Sequence, residues 1–158
     1  MKHLALVLPV ALAVGCGGGT PAAPVGVSKA TYLTRAEAIC AKANADQKAL
    51  KTPSAIGELA PYVAKVVALA DTATQAVGAL EPPRADRADV QAKVLEPLKA
   101  QLVEGHAYAT KVAAASRTGD QKALVSLLSN PPTGSKADLR WMRSYGFVEC
   151  VKAADTSG

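Results

Sequence analysis

The chain has 158 residues, of which 49% are hydrophobic and 20% charged, with a formal net charge of +5. That length suits one domain and argues against two, and the apolar fraction is too high for a disordered chain. Alanine supplies 33 residues while aromatics make up only 4%, a balance that favours helix over sheet. No apolar run reaches the length of about 18 residues that a membrane-spanning helix needs.

Met1-Lys2-His3 gives a short basic start, and Leu4 to Val14 form an uncharged apolar stretch of 11 residues. That is the length of a signal-peptide h-region, too short to cross a bilayer. It runs into Leu12-Ala13-Val14-Gly15-Cys16, which resembles the lipobox of bacterial lipoproteins. The resemblance implies that residues 1–15 are a signal peptide cleaved before Cys16, whose thiol carries a diacylglyceryl group. Acyl chains such as palmitate would then hold the protein on the outer face of the bacterial cell membrane. Each buried CH₂ contributes about 0.8 kcal/mol, so two or three chains anchor firmly. The plainer alternative is an ordinary secretory signal peptide with a coincidental cysteine.

Three cysteines in an exported chain leave one odd thiol. With Cys16 lipidated, Cys40 and Cys150 remain, and outside the cytoplasm such a pair is expected to form a disulfide. Two free buried thiols are the competing reading.

Residues 16–28 carry the lipid-bearing Cys16 and a tether, GGGTPAAPVGVS over Gly17 to Ser28, without charge or hydrophobic period. As a flexible coil its twelve residues span roughly 5–6 Å × √12, about 17–21 Å. A domain over 29–152 follows. Thr34-Arg35-Ala36-Glu37 predicts a capping box for the first helix, whose apolar face is Ala36, Ile39, Cys40, Ala43 and Leu50. Thr52-Pro53-Ser54 ends it. A second helix is predicted from about Ile56 to Leu80, with the stripe Leu59, Val63, Val66, Val67, Ala70, Val77 and Leu80. Pro61 lies either in its first turn or at a kink, and Glu81-Pro82-Pro83 stops it.

The third helix is predicted from about Asp86 to Arg117, with Val90, Val94, Leu98, Leu102, Ala109, Val112 and Ala113 on one face. Pro97 should bend it and Gly119 should cap it. Asp120 caps a short helix through Leu128, and Asn130-Pro131-Pro132 interrupts. Ser135-Lys136-Ala137-Asp138 opens a last short helix that Tyr145-Gly146 closes. The expected fold is therefore an all-α, up-down bundle of three long helices and a broken fourth. A Cys40–Cys150 bridge would tie it, worth about 4.7 kcal/mol at most for so long a loop. Residues 153–158 are left as a flexible C-terminus.

Ala36-Glu37-Ala38-Ile39-Cys40, Leu80-Glu81-Pro82-Pro83 and Tyr145-Gly146-Phe147-Val148-Glu149-Cys150 together resemble a group of small exported actinobacterial lipoproteins. The resemblance covers most of the chain after Ser28 and implies a disulfide-tied helical domain. It supplies no catalytic residues. The Asn130-Pro131-Pro132 interruption departs from the group's layout.

Catalytic sets are hard to assemble from this chain. Once His3 leaves with the signal peptide, His106 is the only histidine, too few for the usual zinc ligand sets. Set four residues after Leu102, it reads as a partly buried structural histidine. No Cys-x-x-Cys, Gly-x-Ser-x-Gly, dinucleotide fingerprint or Walker loop occurs. Asp86 and Asp89 read as helix-capping acids, and Glu96 and Glu104 as solvated ones. No enzyme activity, cofactor or metal is therefore expected. Without Lys2, 17 basic residues face 13 acidic ones, with no basic block, and export argues against nucleic acid. Lys136, Arg140 and Arg143, interleaved with Trp141 and Tyr145, form the densest basic group. They could meet an envelope protein or anionic envelope polymer. The alternative is that Trp141 and Tyr145 complete the core. The expected function is that of a noncatalytic, membrane-anchored binding module of the cell envelope. The alternative is a carrier of a small apolar ligand held between helices.

Overall fold

The computed structural model describes residues 26–132 and 135–155. The predicted lipobox with Cys16, and the predicted tether as far as residue 25, lie outside the described residues, as do 133–134 and 156–158. The helices are α1 (Lys29–Lys48), α2 (Leu59–Gly78), α3 (Arg87–Val90), α4 (Glu96–Thr118), α5 (Gln121–Ser129), α6 (Leu139–Tyr145) and α7 (Glu149–Asp155). Among the described residues there is no strand. A 3₁₀ turn over Ile56–Glu58 leads into α2, which places Pro61 in the first turn, where its missing N–H costs nothing. The protein is an all-α bundle. Helix α2 packs most extensively against α4, α1 packs on α2 and α7, and α5 folds back on α4.

The third long passage changes helix type just ahead of Pro97. A π turn over Gln91–Leu95 joins α3 to α4, with the Glu96 N–H donating to the Gln91 carbonyl. Proline has no N–H to offer the carbonyl four residues back, which is that of Lys93. That carbonyl accepts from the Asp138 N–H at 3.0 Å instead. The vacancy left by Pro97 thus docks the chain just ahead of α6.

Glycines close two helices in the left-handed conformation, Gly119 at φ 68° and Gly146 at φ 117°. Beyond them Asp120 N–H returns to the Ala115 carbonyl (3.0 Å) and Phe147 N–H to that of Met142 (2.9 Å). Asp120 and Asp138 cap α5 and α6 through the Ala123 and Trp141 N–H groups, each at 2.9 Å. The last predicted helix opens at Asp138, not Ser135, whose hydroxyl accepts from Ala137 N–H at 3.2 Å.

The first capping box is not used as the sequence suggests. Helix α1 begins upstream, with Ser28 as its N-cap accepting from Thr31 N–H at 3.1 Å. Thr34 and Glu37 therefore sit where the helix has already used its own N–H groups. The Thr34 hydroxyl donates to the Ala30 carbonyl at 2.9 Å. Glu37 turns outward and accepts from the backbone N–H groups of Val148 (3.0 Å), Glu149 (2.6 Å) and Cys150 (3.4 Å). It caps α7, a helix absent from the sequence expectation that runs to Asp155, past residue 152. Seven residues do not hold a helix alone in water. Cys150 is bridged to Cys40, their Cα atoms 4.9 Å apart, and the Asn44 amide donates to the Glu149 carbonyl at 3.0 Å.

Two cores result. The larger, at the disulfide end, centres on Tyr32, Ala36, Val90, Val94, Met142 and Phe147. The smaller joins Val112, Ala115 and Leu124, with Leu59, Val63 and Tyr108 packed on them.

Breaking the bridge with Cys40→Ser should lower unfolding stability by about 2–5 kcal/mol, read from the denaturant midpoint. Glu37→Gln should cost about 1 kcal/mol and raise hydrogen exchange at the 148–150 amides, leaving those of α2 unaffected. A Cβ at Gly146 would lie 2.9 Å from Leu33 Cδ1, in a left-handed conformation. Gly146→Ala is therefore expected to cost about 1–2 kcal/mol, measured the same way.

Candidate functional site

The apolar stripe of α2 is periodic enough for a core helix, yet of its predicted members only Val77 is fully buried. Val63, Val66, Val67 and Ala70 instead line a cleft of about 340 Å³, partly open to solvent. Leu98, Leu102 and Gly105 of α4 form the facing wall. Cys40 and Ala43 of α1 and Cys150, Ala153 and Ala154 of α7 close another side. The cleft exists because small side chains stand where larger ones would meet. Ala43, Ala73, Gly105, Ala137, Ala153 and Ala154 all belong to its wall. A Cβ on Gly105 would find Val67 Cγ2 at 3.6 Å, an ordinary contact, so the two long helices are near closest approach there. At one end the wall merges with the disulfide core through Val77, Val94 and Phe147, and at the other it reaches Tyr62 and Tyr108.

The polar groups of the wall are neutral. They include Asn44 and Gln47 of α1, Thr74 of α2 and Gln101 of α4. Tyr108 donates to the Leu127 carbonyl at 3.3 Å, and burial pushes its phenol pKa up. No charged side chain belongs to the described wall. No match to a family model, a curated protein or a solved structure is found. The cleft must therefore be judged by its own chemistry.

The residues singled out in the sequence are placed differently. Lys136 precedes α6, and its ammonium pairs with Glu104 of α4. Arg140 and Arg143 are exposed on α6. Trp141 is half-buried and stacks on Tyr145 with ring centroids 4.6 Å apart. Tyr145 is buried and stacks on Phe147 at 5.5 Å, and Phe147 meets Tyr32 edge-on at 6.2 Å. The cations covering these rings come from elsewhere: Lys29 lies 4.1 Å from the Tyr145 centroid and Lys93 5.2 Å from that of Trp141. His106 is not partly buried as expected. Its side chain is 56% exposed, and Nε2 lies 2.8 Å from Asp71 Oδ2, bridging α4 to α2 outside the cleft. Asp86 occupies the N-cap position of α3 without a capping bond from its side chain. Its carboxylate accepts the Tyr145 hydroxyl at 2.8 Å, while Asp89 pairs with Lys93 at 2.9 Å. Among the described residues no three His, Cys, Asp or Glu side chains gather as metal ligands, and no helix is long and apolar enough to cross a membrane.

Burial first, and then the bond to Asp86, push the Tyr145 phenol well above its ordinary value. A raised folded-state pKa contributes stability that is complete below the unfolded value of about 10 and is lost as pH rises through the folded one. Stability should therefore fall above about pH 10. Tyr145→Phe should cost about 1 kcal/mol near neutrality and make the alkaline decline shallower, as followed by chemical denaturation across pH.

Proposed function

We propose that this protein is a lipid-anchored, noncatalytic binding module of the bacterial cell envelope, and that it binds an apolar ligand in the cleft. The observation carrying this reading is the cleft itself: about 340 Å³ of valine-, leucine- and alanine-lined space between α2, α4 and the α1–α7 pair. Pockets that hold small molecules range over about 300–1,000 Å³, and bundles often build them between facing helices. Water occupies about 30 Å³ in the liquid and a methylene is of similar size, so the space takes roughly ten to twelve carbons. The resemblance of Leu12-Ala13-Val14-Gly15-Cys16 to a lipobox supports the anchor. The neutral wall supports holding a ligand over proton-transfer chemistry.

Binding is tested on the full chain carrying Cys16→Ser, purified without detergent and titrated with the small neutral fluorophore 1-aminonaphthalene, whose ten carbons match the space. Saturable fluorescence enhancement is expected. Ala73→Trp, which fills the cleft, should weaken it at least about tenfold without lowering the melting temperature by more than a few degrees. Displacement by linear alcohols should strengthen about fourfold per added methylene, from about 0.8 kcal/mol each, and level off near ten to twelve carbons. Dye binding that survives Ala73→Trp would refute the assignment. For the anchor, cell fractionation should find the wild type in membranes and Cys16→Ser in the soluble extracytoplasmic fraction. Retention of the variant on membranes would refute lipidation.

A further inference from the structure

We infer that the cleft selects an electrically neutral ligand with one aliphatic chain and a small hydrogen-bonding head, such as an alcohol, amide or ester. The inference rests on the apolar-ligand reading above and narrows it to a chemical class.

The single chain follows from shape. The wall runs along α2 from Tyr62 to Val77 and along α4 from Val94 to Tyr108. At 1.5 Å of rise per residue the α2 side is about 22 Å long. The volume of about 340 Å³ takes roughly ten to twelve carbons in all, and the length of the wall lets them lie as one extended chain. Two chains of that length would need about twice the volume.

Neutrality follows from the distribution of charge. Charged groups that neighbour the wall in sequence lie outside it: His106 pairs with Asp71, Lys136 with Glu104, Lys99 with Glu96 and Lys42 with Asp46, while Lys48 and Lys65 are exposed. None of these ten belongs to the described wall. A carboxylate, phosphate or ammonium drawn into it would lose its hydration and meet no counter-ion, which is far costlier than burying a neutral polar group that finds one hydrogen bond. The wall does offer such bonds. The amides of Gln47 on α1 and Gln101 on α4 are half-buried and have no hydrogen-bond partner among the described residues. An amide presents both donors and an acceptor, so either one suits a hydroxyl, amide or ester head.

The test is calorimetric titration of the full chain carrying Cys16→Ser, at about pH 7.5, with decanol, decanoate and decyltrimethylammonium. Decanol is expected to bind at least about tenfold more tightly than either ion. Gln101→Lys keeps helix propensity and places a cation in the wall, so it should shrink the decanol-to-decanoate gap at least about tenfold. Gln101→Glu should do the same for decyltrimethylammonium. A gap below tenfold in the unsubstituted cleft means that the heads stay in water, and overturns the inference while the apolar-ligand reading stands. A gap that neither Gln101 substitution moves also overturns it, because the wall then does not set the preference. No saturable binding of any of the three overturns the apolar-ligand reading itself.

Discussion

The pairing of α1 with α7 is the constraint on which the rest depends. Helix α7 is too short to persist alone, and three features fix it: the Cys40–Cys150 bridge, the Glu37 carboxylate at its first N–H groups and the Asn44 amide on the Glu149 carbonyl. Once held, it places Val151 in the disulfide core and Ala153 and Ala154 along the cleft. Without it α1 would face solvent on one side, and the cleft would lose a wall. A covalent crosslink acts chiefly on the unfolded ensemble, whereas the Glu37 bonds and the packing act in the folded state.

A second constraint is the choice of side-chain size between the two cores. Bundles usually fill the space between facing helices with interdigitating large and small residues. Here α2 brings valines, but alanines and a glycine answer them from α1, α4 and α7. The ends of the bundle are closed by Phe147, Tyr32 and Met142 on one side and Val112 and Leu124 on the other. The middle is left open. Closing it with larger side chains would add buried area, so the open middle is a departure from maximal stability of the kind that binding sites commonly show.

Electrostatics follow the same division. The ion pairs lie on exposed or partly exposed positions and contribute little individually. The Tyr145 hydroxyl on Asp86 reaches into the larger core and connects α6 to the start of α3. Together with the Asp138 N–H on the carbonyl freed by Pro97, it seats the short last helices on the third long passage. The broken fourth helix is thereby held by specific polar contacts as well as by apolar area.

Much of the secondary structure is determined by the sequence alone, because its causes are local. The prolines at 82, 83, 131 and 132, the glycines at 119 and 146 and the cap at Asp120 act within a turn of their own position. The Cys40–Cys150 pair was also legible, from cysteine number and the expectation of export. The residues whose roles changed have side chains with a choice of partners. Glu37 matches a capping box by spacing, yet the donors it serves lie 111 to 113 residues away. Asp86 looks like a helix cap but serves Tyr145, and Lys136 looks like a free surface cation but pairs with Glu104. The cleft was legible only as the alternative of an apolar ligand held between helices. Periodicity reports which face of α2 is apolar, but not whether the facing side chains are large enough to cover it. That is decided by the register of four helices, and register is a property of the assembled bundle.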